Sequence, residues 1–149
     1  MIRIKQVGFD VEGLREKILW IDKRCYKRDV QFNEDTLNTF LDKNSKIYFI
    51  ISRGKRDTIV GYMLLSLYNP PRECYLTSMA ILPTYRNYGI GKKLFKIFLK
   101  YRKGHKLSLH AVNPAMIHIA EKNGFRKVRT TRNYFGKHNA VLMELEGKE

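Results

Sequence analysis

The sequence has little cysteine and no long apolar segment. Only Cys25 and Cys74 occur among 149 residues, and no Cys or His spacing is typical of a zinc site or a disulfide framework. We therefore expect buried, reduced thiols and no bound metal. The longest unbroken apolar run is five residues, 47–51, far shorter than a membrane span, and the N-terminal stretch lacks a signal-peptide-like apolar segment. These absences predict a soluble, cytoplasmic protein that does not associate with membranes.

Acidic residues are also scarce. The chain has 29 Lys and Arg against 14 Asp and Glu, which gives a formal net charge of +15. Such a field attracts polyanions of any kind, including nucleic acid and ribosomal particles, without identifying one of them. The length and a hydrophobic content of 44% predict one globular domain over residues 1–149.

The apolar patterning predicts strands and helices in the order β-α-α-β-β-β-α-β-α-β-β. Period-two or continuously apolar segments predict strands near residues 2–7, 47–52, 58–67, 75–82, 106–112, 125–133 and 140–145. Helical spacing, together with caps at Asn33 and Asn113, predicts helices near residues 14–25, 33–41, 92–102 and 114–123.

A glycine-containing segment, Arg86-Asn87-Tyr88-Gly89-Ile90-Gly91, follows a predicted strand and leads into a predicted helix. Glycines at the start of a helix let the backbone approach a ligand closely. The unpaired amides and the positive end of the helix dipole at that place suit an anion such as a pyrophosphate. The segment therefore predicts a ligand that carries phosphates.

The spacing of this segment differs from that of two common phosphate-binding loops. Arg86 and Lys93 stand where a Walker A loop has Gly and Ser or Thr, and Leu94 stands where the dinucleotide-binding fingerprint has its third glycine. The remaining pattern, Arg-x-x-Gly-x-Gly, resembles the acetyl-CoA signature of the Gcn5-related N-acetyltransferase (GNAT) family.

Further landmarks of that family follow in the second half of the chain. They are Asn113 before a helix that ends in Gly124-Phe125, then Asn133-Tyr134-Phe135, then Ala140-Val141-Leu142-Met143. With this ending, the chain is most similar to the branch of protein N-terminal and ribosomal-protein acetyltransferases.

The resemblance extends over essentially the whole chain and implies the GNAT fold. This is an α/β (α+β) domain with one mixed, mostly antiparallel sheet of about six to seven strands and about four flanking helices. It also implies a monomer or homodimer that uses acetyl-CoA as the acyl donor, with a direct attack by the acceptor amine in a ternary complex. The residues that it assigns to the acetyl-CoA site, mostly through their backbone amides, are Ala80, Ile81, Arg86, Asn87, Tyr88, Gly89, Ile90, Gly91, Lys92 and Asn113.

The residues available for proton transfer differ from the family pattern. Relatives often carry a catalytic Glu on the fifth strand and a Tyr near the end of the following helix, and Ser108 and Ala120 occupy these positions here. Three catalytic candidates can replace them: Glu73 at the start of the fourth strand, His110 on the same side of its strand as Ser108, and Tyr134 in the terminal motif. Each has a structural alternative, namely a pair with a nearby cation for Glu73, a strand hydrogen bond for His110, and packing for Tyr134.

Two functions from different classes fit the sequence. The first is an N-acetyltransferase acting on a primary amine, either a protein N-terminus or lysine or a small amine. The second is a GNAT-fold binding protein, with weak or no catalysis, that uses its basic surface to bind nucleic acid or ribosomal particles. The residues at positions 108 and 120 favour the second function, whereas the intact glycine segment and Asn113 favour the first. We favour the enzyme.

Overall fold

The computed structural model describes residues 2–26, 33–135 and 138–149, which form seven strands and four α-helices. The strands are β1 (Ile2–Val7), β2 (Ser45–Ser52), β3 (Thr58–Tyr68), β4 (Glu73–Ile81), β5 (Lys106–Ala111), β6 (Arg126–Phe135) and β7 (His138–Leu145). The helices are α1 (Leu14–Cys25), α2 (Glu34–Phe40), α3 (Ile90–Lys100) and α4 (Pro114–Lys122). The predicted order of elements is confirmed. None of these helices is long and apolar enough to cross a membrane.

All seven strands belong to one sheet, with the spatial order β1-β2-β3-β4-β5-β7-β6. Neighbouring strands run antiparallel except for β4 and β5, which are parallel. The sheet is therefore mixed and mostly antiparallel, as the sequence predicts. The parallel pairing extends only from Glu73 opposite Lys106 to Leu76 opposite Leu109. Because β4 continues to Ile81, its second half diverges from β5 and leaves a gap in the sheet.

The helices pack on both faces of the sheet. We call the face covered by α3 and α4 the first face, and the face that carries α1 and α2 the second face. Buried side chains of the first face include Leu94, Phe98, Leu107, Phe125 and Met143. Those of the second face include Leu14, Ile18, Leu37, Tyr62 and Leu64. Helices α1 and α2 pack on β2, β3 and β4, so the described helices leave the β5-β7-β6 part of the second face uncovered.

Local sequence signals explain the starts of two helices. The Asn33 side chain accepts a hydrogen bond from the Thr36 amide at 2.7 Å and caps α2, and the Asn113 side chain caps α4 through the Met116 amide at 2.9 Å. Pro114 follows Asn113 at the first helical position, where its missing N–H costs no hydrogen bond. Both predicted caps are confirmed.

Helix α3 begins two residues earlier than predicted. Gly89 adopts a left-handed conformation with φ of 76° and precedes the helix, so that Ile90 is its first residue and Gly91 lies in its first turn. The helical spacing predicts that Leu94, Ile97, Phe98 and Tyr101 face inward. Leu94 and Phe98 are fully buried, Ile97 and Tyr101 are partly buried, and Phe95 joins them in the core. The start at Lys92 was wrong because it placed both glycines outside the helix, whereas only one of them has a non-helical backbone.

A substitution at Gly61 on β3 tests the close packing of β3 on β4. A Cβ atom at this position would lie 2.8 Å from the Ala80 carbonyl oxygen and 2.6 Å from Ile50 Cδ1. Because the Ala80 oxygen belongs to the backbone, we expect Gly61→Ala to lower the free energy of unfolding by about 1–3 kcal/mol in denaturant titration. Gly54→Ala is the control, since a Cβ there meets nothing closer than 4.0 Å. Equal stability of the two variants would contradict the prediction.

Candidate active site

The open edge of β4 places backbone amides in the gap. The Leu82 amide donates to the Val60 carbonyl oxygen at 2.9 Å, and successive amides along a strand point to opposite sides. The amides of Met79 and Ile81 therefore face the gap, whereas that of Ala80 points to β3. Of the two amides assigned to the cofactor, the Ile81 amide is well placed. Met79 could not be chosen from the sequence, because its selection depends on the register between β3 and β4.

Side chains from the end of α1, from Tyr26 directly after it and from the glycine segment bind the carbonyl groups of this same edge. The Tyr26 hydroxyl donates to the Met79 carbonyl oxygen. Arg86 Nε donates to the Ile81 carbonyl oxygen at 2.9 Å, and Cys25 Sγ lies 3.4 Å from that oxygen. Burial raises the pKa of the Cys25 thiol above its usual range, so the sulfur stays protonated at neutral pH and acts as a donor. These contacts fix the end of β4 although β5 no longer pairs with it.

A cleft of about 280 Å³ opens on the first face, between the end of β4 and the start of α3. Apolar side chains, among them Met79, Phe95 and Met116, form part of its wall. The cofactor-binding residues predicted from the sequence that line it are Ile81, Arg86, Asn87, Gly89, Ile90, Gly91 and Lys92. Tyr88 projects from the same segment with 73% of its surface exposed. Asn113 caps α4 on the other side of the gap, and its role in cofactor binding stays a prediction.

The glycine segment has the geometry of an anion site. Asn87 and Gly89 have φ of 69° and 76°, which turns the chain so that the first amides of α3 meet the cleft. A Cβ atom at Gly91 would find only Ile81 Cδ1, at 3.9 Å, so this residue leaves space rather than filling it. Lys92 lines the same cleft with a positive charge. An apolar wall beside a cationic helix start fits a ligand that joins an apolar arm to a pyrophosphate.

On the second face, the strand register aligns polar side chains in rows across β4, β5, β7 and β6. Paired residues on neighbouring strands share a face, so each row can be followed from strand to strand. One row consists of Tyr75, Ser108, Glu144 and Arg126. The next row consists of His110, Leu142 and Arg129.

His110, Tyr75 and Tyr134 form a hydrogen-bonded cluster on this face, next to the gap. The Tyr75 hydroxyl lies 2.7 Å from His110 Nδ1 and 2.7 Å from the Tyr134 hydroxyl. The rings of His110 and Tyr134 are stacked, with their centroids 4.0 Å apart. The structure thus brings two of the predicted catalytic residues together. It adds Tyr75, which sequence reasoning missed because only the parallel register beside Ser108 places it near His110.

The surroundings of the cluster determine its protonation. Burial lowers the pKa of His110 below its ordinary value of 6.5, and the positive charge of Arg129 lowers it further. Burial also raises the pKa of Tyr75 well above its usual range, and the hydrogen bond with Tyr134 adds to that shift. At neutral pH, His110 is therefore neutral and Tyr75 keeps its proton, so the imidazole can accept a proton and the phenol can transmit one.

Glu73, the third catalytic candidate, lies two residues before Tyr75 and has other partners. Its Oε1 accepts a hydrogen bond from Ser108 Oγ at 2.5 Å, and its Oε2 lies 3.9 Å from Lys106 Nζ. Ser108 is 1% exposed and occupies the position where relatives often carry a catalytic Glu. The side chain at this position therefore holds a carboxylate that comes from another strand. The nearby cation expected for Glu73 is Lys106.

Ala120, at the position where relatives often carry a Tyr, is fully buried in the core of the first face. Its methyl group offers no proton. Among the described residues, no group of three or more His, Cys, Asp or Glu side chains could hold a metal ion. The Tyr75, His110 and Tyr134 cluster thus brings an imidazole and two hydroxyl groups to the gap, in addition to the Tyr26 hydroxyl, which is bonded to the Met79 carbonyl oxygen.

Residues 15–125 match the family model described as the acetyltransferase (GNAT) family, so the chain belongs to this family. A comparison with curated proteins gives no match. Among solved structures, the fold is similar to that of the ribosomal-protein-S18-alanine N-acetyltransferase of Escherichia coli. That similarity has a TM-score of 0.81 and 20% identity, and it covers 100% of this chain and 96% of that one.

Two further solved structures are similar. NAA60 of Arabidopsis thaliana, in complex with acetyl-CoA, has a TM-score of 0.78 and 16% identity, covering 97% of this chain and 98% of that one. The spermidine/spermine N-acetyltransferase SpeG of Vibrio cholerae has a TM-score of 0.69 and 17% identity, covering 97% of this chain and 91% of that one. At these identities the comparisons establish the fold, and the acceptor has to be argued from the site.

A bulky side chain at Gly91 tests the cleft. Gly91→Leu should abolish acetyl-CoA binding in titration calorimetry, because the leucine would enter space that the glycine leaves open. The fold should survive, since the Cβ atom has room. Lys96→Leu, on the exposed side of the same helix, is the matched control and should bind acetyl-CoA. Unchanged affinity in Gly91→Leu would refute the assignment of the cleft.

Proposed function

We propose that this protein is an acetyl-CoA-dependent N-acetyltransferase whose acceptor is the free amino terminus of a protein or peptide. The observation that carries the proposal is the position of the hydrogen-bonded His110 cluster. It lies on the second face next to the gap, while the glycine-lined cleft opens on the first face. A donor in the cleft and an acceptor on the opposite face would meet in the gap between β4 and β5.

The donor site would use backbone more than side chains. The first amides of α3, together with Lys92, would hold the pyrophosphate, and the amides of Met79 and Ile81 would face the apolar arm. When bound, acetyl-CoA supplies an acetyl group activated as a thioester. Amides in the gap are also the donors available to a developing oxyanion, a role in which fixed dipoles are most effective.

The acceptor side would use the cluster to remove a proton. An amine attacks only in its neutral form, so a base must accept its proton directly or through water. Tyr134 is 37% exposed and can collect that proton at the surface of the site. Its hydroxyl is linked through Tyr75 to His110 Nδ1, so a proton can move along these two hydrogen bonds to the neutral imidazole.

A peptide acceptor fits the charge of the second face better than a polyamine does. The carboxylates of Glu73 and Glu144 face this region, but Lys106 lies near both of them and Arg126 lies 3.5 Å from Glu144. A net charge of +15 also repels polycations over a distance. The similarity to an enzyme named for the alanine of ribosomal protein S18 supports the same class of acceptor.

The proposal is tested in two steps. Native mass spectrometry of the purified protein should detect bound CoA or acetyl-CoA. A thiol-release assay should then show turnover with peptides that have a free α-amine, and no turnover with the same peptides blocked at the amino terminus. Turnover with spermidine but with no peptide would overturn the proposed acceptor. Bound CoA without turnover on any amine would favour the binding protein instead.

Substitution of His110 tests the base. His110→Ala should lower kcat roughly 10- to 100-fold, because water replaces a placed base only in part. In the wild-type protein, kcat should rise with pH through one ionisation with a midpoint below ~6.5, since a lowered pKa leaves the imidazole neutral down to lower pH. This ionisation should disappear in His110→Ala. His118→Ala, at an exposed position on α4, is the control and should change neither kcat nor the pH profile.

Glu73→Gln tests whether Glu73, rather than His110, is the catalytic base. Because the Glu73 carboxylate is bonded to Ser108 and lies near Lys106, we expect this variant to keep the acid-side ionisation of the wild type. Tyr75→Phe, which removes only the shared hydroxyl, should lower kcat while the ring still packs. If Glu73→Gln loses the ionisation and His110→Ala keeps it, then Glu73 is the base.

A further inference from the structure

An arginine on the edge strand shares a row with His110. Arg129 on β6 is paired with Leu142 on β7, and Leu142 is paired with His110 on β5, so the three side chains lie on the second face. Two strand spacings separate the Cα atoms of Arg129 and His110, a distance of about 10 Å. The guanidinium is therefore close enough to contact a molecule whose amine lies at the His110 cluster.

Two other cations of the second face, Lys106 and Arg126, already have carboxylate partners. Lys106 Nζ lies 3.0 Å from Glu144 and 3.9 Å from Glu73, and Arg126 lies 3.5 Å from Glu144. Within residues 2–26, 33–135 and 138–149, no ion pair joins Arg129 to a carboxylate. Its charge nevertheless reaches the site, because it contributes to the lowered pKa of His110. The second face thus offers an exposed cation beside the proposed acceptor position.

Building on the proposed N-acetyltransferase function, we propose that Arg129 binds an acidic side chain of the acceptor and so selects peptides with Asp or Glu near the amino terminus. An extended peptide advances about 3.3 Å per residue. Because the guanidinium and the peptide's carboxylate each extend away from their own backbones, a span of about 10 Å between the Cα atoms of His110 and Arg129 can be bridged from the second or third residue of the peptide. A guanidinium can bind a carboxylate through two parallel hydrogen bonds, which strengthen the contact and fix the relative orientation of the two groups. Leu142 is paired with His110 on one side and with Arg129 on the other, so it would lie under the peptide backbone.

The competing explanation is the overall charge of +15, which would attract any acidic peptide without a defined site. Lys127 provides a matched control. It precedes Arg129 on the same edge strand and is exposed, but it is paired with the core-facing Met143, so its side chain lies on the first face. Val128 is the extra residue of a bulge between them, which explains why the two cations face opposite ways. Removal of either cation lowers the net charge equally.

The experiment compares two peptides with a free α-amine that differ only by Asp or Asn at positions two and three. The ratio of their kcat/KM values is measured well above the pKa of His110, so that the imidazole is neutral with either peptide bound. The wild type should prefer the Asp peptide roughly 5- to 10-fold, as expected for a partly exposed Arg–carboxylate contact. Arg129→Gln should bring the ratio close to one, and Lys127→Gln should keep the wild-type ratio.

Charge reversal gives an independent readout. Arg129→Glu should prefer a peptide with Lys at these positions over the Asn peptide, while Arg129→Lys should keep part of the Asp preference. Equal kcat/KM values for the Asp and Asn peptides in the wild type would overturn the Arg129 site and leave the proposed function intact. An Asp preference that Lys127→Gln reduces as much as Arg129→Gln would also overturn it, in favour of overall charge. If the wild type acetylates neither peptide, the proposed peptide acceptor fails as well.

Discussion

The parallel pairing of β4 with β5 is the constraint on which the rest of the site depends. It lasts for four residue pairs and stops at Leu76 opposite Leu109. Thr77, the next residue of β4, is the extra residue of a bulge against β3, and a bulge bends its strand and increases its twist. A hydrogen bond of 2.5 Å between the hydroxyls of Thr77 and Ser66 holds the bulge in place. The divergence of the strands therefore follows from local backbone geometry.

That divergence divides the protein into two sides with different chemistry. The first face provides an apolar cleft and the amides at the start of α3, which suit an anionic ligand with an apolar arm. The second face provides an imidazole, two phenols and an arginine in adjacent rows of the sheet. The sheet separates the two sets of groups everywhere except at the gap. Ligands bound on the two faces could therefore approach each other through the gap without passing through the core.

The sequence predicts the elements well and the contacts between strands poorly. Periodicity identifies the strands, the caps and the core residues Leu94 and Phe98, because these signals are local. His110 and Tyr134 can be named one at a time, but their stacking, and the Tyr75 hydroxyl that links them, depend on a register among distant strands. The +15 charge is also plain from the sequence, yet its attraction for nucleic acid stays a prediction, because a field alone selects no partner.

The proposed base, His110, and the proposed peptide contact, Arg129, are physically connected. A carboxylate at position 108 would lie against Glu73 as well as within reach of the cations of this face, and such neighbours would shift its pKa in opposing directions. An imidazole is neutral at neutral pH and tolerates Arg129 at the cost of a lower pKa. Burial is the main cause of the lowered pKa of His110, and an acceptor carboxylate bound to Arg129 would cancel only the smaller contribution, that of the Arg129 charge. The imidazole then becomes a stronger base at the moment when the acceptor arrives, so the same contact that selects the peptide would also assist removal of its proton.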